Sequence, residues 1–127
     1  MTSRLVYVID DDPAILRSTA FLLQSAGYDV ECFADGDLFV AALPSLRPGC
    51  IVTDLRMPNL NGYDLKTALE AMAISWPMIL MTSENGPMIT AETERRGFAA
   101  YLRKPFSADQ LTAALDSGFA MLDGKPA

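Results

Sequence analysis

The acidic residues of this chain fall where they can do chemistry. Asp10 and Asp11 stand side by side after the apolar run Leu5-Val6-Tyr7-Val8-Ile9, and Asp54 closes a second run, Cys50-Ile51-Val52-Thr53. Adjacent carboxylates repel, and at the end of a buried strand they are costly unless a cation neutralises them. Asp12 is explained as a helix cap and Asp54 alone as a polar strand terminator, but the Asp10-Asp11 pair gains nothing structural from its adjacency. Thr82 follows a third apolar run, Pro77-Met78-Ile79-Leu80-Met81, and Lys104 a fourth, Ala99-Ala100-Tyr101-Leu102. Three carboxylates within reach of one another call for a divalent cation. Magnesium, or manganese in its place, takes oxygen ligands, keeps several waters and pairs one or two carboxylates with a phosphate oxygen. Lys104 is a point charge suited to phosphoryl oxygens, and Thr82 can donate a hydrogen bond to them. One carboxylate can then attack phosphorus and become an aspartyl phosphate, with catalysis arising from positioning and charge neutralisation. The chain contains no histidine, which excludes every imidazole mechanism, including a histidine-kinase or phosphotransfer role of its own.

These residues need elements that bring them together. Pro13 suits the first position of a helix and Asp12 its N-cap. Ile15, Thr19, Leu22, Leu23 and Ala26 continue that helix at helical spacing until Gly27. Tyr28-Asp29-Val30-Glu31-Cys32-Phe33 alternates like a half-exposed edge strand. Asp35 caps a short helix through Leu38, Phe39, Ala42 and Leu43, which Pro44 ends. After a loop with Pro58, Asn59, Asn61 and Gly62, a helix is marked by Leu65, Leu69 and Met72. Residues 84–96 begin with Asn85-Gly86-Pro87 and continue as a helix whose only large apolar side chains are Met88 and Ile89, so it is expected to be the least firmly packed and the most mobile. Ser107 caps the last helix, with Leu111, Leu115, Phe119 and Leu122 on its apolar face.

Strands alternating with helices predict an α/β domain with a parallel sheet and right-handed crossovers covering both faces. The expected fold is a flavodoxin-like, doubly wound (βα)5 domain of strand order 2-1-3-4-5, in which the crevice opens beside the first and third strands. All strand carboxyl ends then share one rim. Asp54, on the central strand between the acid pair and Lys104, is the best nucleophile.

Composition narrows the reading. A chain of 127 residues fits one domain with its own core. Its net charge of −6 argues against gripping nucleic acid directly. No apolar run approaches the ~20 residues of a membrane span, and no signal peptide is expected. Cys32 and Cys50 match neither a zinc spacing nor a disulfide framework, and are expected to be buried free thiols of a cytoplasmic protein.

The pieces together resemble the receiver domain of two-component response regulators over residues 4–122, leaving 123–127 as a C-terminal tail or the start of a linker. The resemblance is carried by Val8-Ile9-Asp10-Asp11-Asp12, Thr53-Asp54-Leu55-Arg56-Met57-Pro58 with Gly62, Met81-Thr82, and Tyr101-Leu102-Arg103-Lys104-Pro105-Phe106. It implies that Asp54 is the phosphoacceptor, that Asp10 and Asp11 hold magnesium with Asp54, and that the backbone carbonyl of Arg56 completes the protein's ligands. It further implies that Lys104 and Thr82 bind the phosphoryl group and that Tyr101 swings inward behind Thr82. A cis peptide before Pro105 is implied as well. The implied partners are a sensor histidine kinase or phosphotransfer protein, and an output domain or effector. Dimerisation is expected through the face made by the fourth helix, fifth strand and fifth helix.

Some positions depart from the family pattern. Ser83 stands where the family often has alanine or glycine, which narrows access to the phosphoryl group. Arg56 and Glu84, two positions beyond Asp54 and Thr82, occupy sites that in the family influence how long the phosphoryl group survives, and they are expected to meet across the site mouth. Competing readings are a phosphohydrolase using the Asp-x-Asp of Asp10-Asp11-Asp12, a flavin-binding flavodoxin-like protein, and a degenerate receiver serving only as an interaction module. The first lacks a cap domain and the second a Ser/Thr/Gly-rich phosphate loop. The chain is therefore expected not to be an enzyme acting on an external substrate.

Overall fold

The computed structural model describes residues 4–84 and 86–124. Asn85 and residues 125–127 of the expected tail lie outside them. Along the chain run β1 (Leu5–Ile9), α1 (Pro13–Ser25), β2 (Asp29–Phe33), α2 (Gly36–Ala42), β3 (Cys50–Asp54), α3 (Gly62–Ala71), β4 (Met78–Thr82), α4 (Pro87–Arg95), β5 (Ala100–Arg103) and α5 (Ala108–Leu122). The strands form one parallel sheet of order β2-β1-β3-β4-β5, the doubly wound arrangement expected from the alternation.

Strands β1, β3 and β4 are buried throughout because both faces of the sheet are covered. Side chains alternate between two cores. Tyr7, Ile9, Ile51 and Leu80 point into the layer shared with α2 and α3, where Phe39, Leu65 and Leu69 meet them. Val6, Val8, Val52 and Met81 point into the opposite layer, against Leu23 of α1 and Leu111, Leu115 and Phe119 of α5. Helix α5 approaches β3 closely, since a Cβ at Gly118 would lie 3.0 Å from Cys50 Sγ.

Helices α1, α2 and α5 start where Asp12, Asp35 and Ser107 predict, and α3 is capped by Asn61, which the sequence reading places only in a loop. Each of these four residues accepts a backbone N–H of the first turn, and Asn61 and Ser107 complete capping boxes with Asp64 and Gln110. Pro44 ends α2, and the chain continues as a single 3-10 turn over Leu43–Ser45. Helices α1, α3 and α4 end in the same way, with a left-handed residue (Gly27, Ala73, Gly97) followed by an N–H reaching back into the last turn.

Several sequence-based expectations about burial are corrected. Leu38 and Met72 are 54% and 41% exposed, and Ala26 caps α1 from outside its buried stripe. Cys50 is buried and its thiol is pushed up to about 12 by burial, but Cys32 is exposed, because edge strand β2 has no neighbour to close over it. Helix α4 buries only Thr93 and leaves Met88 85% exposed. Among the described residues no helix is long and apolar enough to cross a membrane.

Candidate metal centre and functional site

The site forms at the carboxyl rim of β1, β3, β4 and β5. Parallel pairing sets the ends level: Ile9 is in register with Thr53, Asp54 with Met81, and Thr82 with Arg103. The residues just past those positions therefore share one crevice. Asp10, 1% exposed, donates its backbone N–H to Phe33 O of β2 at 3.2 Å. One of its carboxylate oxygens accepts the N–H of Asp12 at 2.9 Å, and the other accepts Lys104 Nζ at 3.0 Å. Asp54 is 9% exposed, and its Oδ1 lies 3.2 Å from the same ammonium. Asp11 is exposed at the rim.

One lysine faces two largely buried carboxylates, so the negative charge is in excess. Burial, and then the neighbouring Asp10, raise the pKa of Asp54 above the ordinary carboxylate value, and Lys104 offsets only part of this. Burial alone lowers the pKa of Lys104, but Asp10 and Asp54 outweigh it and hold the ammonium more firmly protonated than a free lysine. One oxygen each from Asp10, Asp11 and Asp54 lies within 4.8 Å of the others, a grouping able to hold a metal ion. The donors are all hard carboxylate oxygens, which fits magnesium or manganese and gives no purchase to soft metals.

Two loops frame the crevice. Gly62 seats the loop after β3, since its N–H donates to Leu55 O at 2.9 Å and a Cβ there would lie 2.8 Å from Asp54 O. Thr82 is 1% exposed, and its Oγ1 accepts the N–H of Glu84 at 3.1 Å. Lys104 donates its backbone N–H to Thr82 O at 2.8 Å, and the Lys104–Pro105 peptide is cis. Tyr101 is half-buried, packs against the α2/α3 core, and donates its hydroxyl to Glu84 O. Arg56 and Glu84 meet across the mouth in a two-pronged ion pair, Nη2 to Oε1 at 3.0 Å with Nε on the other oxygen. This pairing holds the carboxyl of Glu84 below its ordinary value. Ser83 is exposed and, with Lys104 and Phe106, lines a groove of about 450 Å³ against α1.

The structure thus brings Asp10, Asp11, Asp54, Thr82 and Lys104 to one crevice, with Arg56, Glu84 and Tyr101 around its mouth. Sequence reasoning expected Glu84 to meet Arg56 but missed that Glu84 is a junction: its side chain holds Arg56, its N–H serves Thr82, and its carbonyl serves Tyr101. Two of these three contacts are made by backbone groups, which no residue type advertises.

The chain is 41% identical over 122 residues to the transcriptional regulatory protein FixJ of Bradyrhizobium diazoefficiens, covering 96% of this chain and 58% of that protein. It is 34% identical over 111 residues to the tetrathionate response regulatory protein TtrR of Salmonella typhimurium, covering 87% of this chain and 54% of that protein. The chain therefore spans little more than half the length of these relatives. Among solved structures, FixJ-N superposes with a TM-score of 0.86 at 30% identity, covering 93% of this chain and 94% of that one. Full-length FixJ from B. japonicum gives 0.87 at 40% identity, covering 95% of this chain and 60% of that one. The model of the response regulator receiver domain matches residues 6–116, from the second residue of β1 through the first nine residues of α5, and the chain belongs to that family.

Proposed function

We propose that this receiver domain is a phosphorylation-dependent switch in which Asp54 accepts a phosphoryl group from a sensor histidine kinase or phosphotransfer protein. The observation that carries this reading is the convergence of Asp10, Asp11 and Asp54 opposite a single lysine, a negatively charged crevice with one cation already aimed at its nucleophile. A carboxylate oxygen of Asp54 attacks phosphorus, the bond to the donor atom breaks, and the leaving group keeps the electron pair. Lys104 offers its ammonium to the phosphoryl oxygens. Thr82 already accepts from Glu84, so its own hydrogen is available for another of these oxygens. Asp10, Asp11, Asp54 and the backbone carbonyl of Arg56 would hold magnesium or manganese, whose charge offsets that of the carboxylates and the incoming phosphoryl group.

Phosphorylation then biases the arrangement of Thr82, Tyr101, α4 and the α4–β5–α5 face, which an output domain or effector reads, with dimerisation through the same face. Regulated transcription is the output suggested by relatives named as transcriptional regulators. The Arg56–Glu84 pair covers the approach to Asp54 and slows hydrolysis of the aspartyl phosphate. The chemistry is confined to the domain's own aspartate, with no external substrate turned over, and the setting is cytoplasmic. Intact mass after incubation with magnesium and a small acyl phosphate tests the reading. One added phosphoryl group, lost in Asp54→Asn and with chelator, is the expected result. No adduct with any donor, kinase included, would leave a phosphorylation-independent interaction module.

A further inference from the structure

Helix α4 is fastened unequally: its first half holds to the core through the half-buried Ile89, while its second half is bonded to a neighbouring helix. Its N-terminal residue is preceded by Gly86 at φ +126°, which offers no side-chain cap and has open space around it, and Met88 in the first turn is exposed. The other end is tied to α3 through Tyr63. Thr93, the buried residue of α4, donates its hydroxyl to Ile89 O at 2.7 Å. With that hydrogen committed, the 3.1 Å contact to Tyr63 is a donation from the Tyr63 hydroxyl to Thr93 Oγ1. The guanidinium of Arg96, held from below by Glu92, lies over the Tyr63 ring at 4.6 Å from its centroid. Phe98, past the helix end, packs edge-on against the same ring at 5.9 Å. Tyr63 follows Gly62, which is pressed against the Asp54 backbone, so the residue anchoring α4 is itself seated by the loop that leaves Asp54.

We infer that Tyr63 is the fulcrum of α4: it pins residues 93–96 to α3 and leaves residues 86–90 as the end that changes position. That this freedom serves signalling rests on the phosphoacceptor reading above; the anchoring itself does not. Amide hydrogen exchange on the whole chain tests the anchoring. Tyr63→Phe keeps the ring and loses the hydroxyl, and exchange at residues 91–96 rises about fivefold. Tyr63→Leu also removes the cation–π contact and raises it further, about tenfold or more, while the conservative surface change Arg96→Gln gives a smaller rise of about threefold. Amides of β3 and β4 stay within about twofold of wild type in Tyr63→Phe and Arg96→Gln. Unchanged exchange at 91–96 in both Tyr63 variants, or a rise matched by β3 and β4 in every variant, would overturn the fulcrum. A second arm adds acyl phosphate and magnesium and confirms the adduct by mass. Backbone shift changes concentrated in residues 86–90 are expected, and equal changes at 93–96 would overturn the proposal. Absence of an adduct counts against the phosphoacceptor reading alone, and the exchange arm still decides the fulcrum.

Discussion

The ammonium of Lys104 stands 3.2 Å from Oδ1 of Asp54, and the same group lies 3.0 Å from Oδ2 of Asp10. One cation is thus shared by two carboxylates that the sheet has removed from water. A metal ion held at the acidic cluster would serve the same negative charge as Lys104, so each would weaken the need for the other.

The first prediction follows directly. Lys104→Met leaves two largely buried carboxylates without their cation, and removing one partner from such a group is destabilising, here by about 1–2 kcal/mol given partial solvent access. Magnesium is expected to restore most of that loss and to bind several-fold more tightly than in wild type. Urea midpoints with and without magnesium, together with calorimetric titration, check this. A variant whose stability ignores magnesium would sink the idea.

The second concerns pH. Burial and Asp10 raise the folded-state pKa of Asp54 above its unfolded value of ~3.9. Below the unfolded value Asp54 is protonated in both states and its charge costs nothing. As pH rises through the folded value, the native state takes on a buried charge and stability is lost. Asp54→Asn is therefore more stable than wild type at pH 7, by about 1 kcal/mol or a few degrees in Tm, and this advantage disappears by about pH 3. Paired denaturation curves at the two pH values measure it. An advantage independent of pH would assign the effect to packing instead.

The third tests the ion pair at the mouth. Replacing Arg56 and Glu84 together by alanine is expected to shorten the aspartyl-phosphate half-life a few-fold, without preventing its formation. Because the pair is solvent-accessible, high salt shortens the wild-type half-life and leaves that of the double variant unchanged. Decay of the phosphorylated mass with time gives both numbers, and equal half-lives would discard the role.

The fourth concerns stability away from the site. Ala73 holds φ +59° after α3, where its N–H bonds Glu70 O at 3.0 Å and Ile74 N–H returns to Leu69 O at 2.9 Å. A left-handed conformation costs an L-residue roughly 1–2 kcal/mol, and glycine adds back about 0.4–1 kcal/mol through the unfolded chain. Ala73→Gly should stabilise the domain by about 0.5–1 kcal/mol and leave acyl-phosphate labelling unchanged. A destabilised variant would show that the turn is not strained.

Much of this domain was legible in the sequence. Runs such as Val6-Tyr7-Val8-Ile9 announce buried strands by composition, and Asp12, Asp35 and Ser107 announce helix starts by a short side chain within reach of the next N–H groups. Alternation of these signals dictates parallel strands, and parallel strands put their carboxyl ends on one rim. The meeting of Asp10, Asp54, Thr82 and Lys104 follows from that topology. Tertiary structure alone decided the rest: that Lys104 bridges Asp10 and Asp54, that the backbone of Glu84 serves Thr82 and Tyr101, that Tyr63 pins α4, and that Cys32, Leu38 and Met72 stay exposed. The reason is physical. Propensity and capping act within a few residues, whereas a contact across loops depends on where two backbones come to rest, and the outermost positions of an apolar stripe are covered only if a neighbour reaches them.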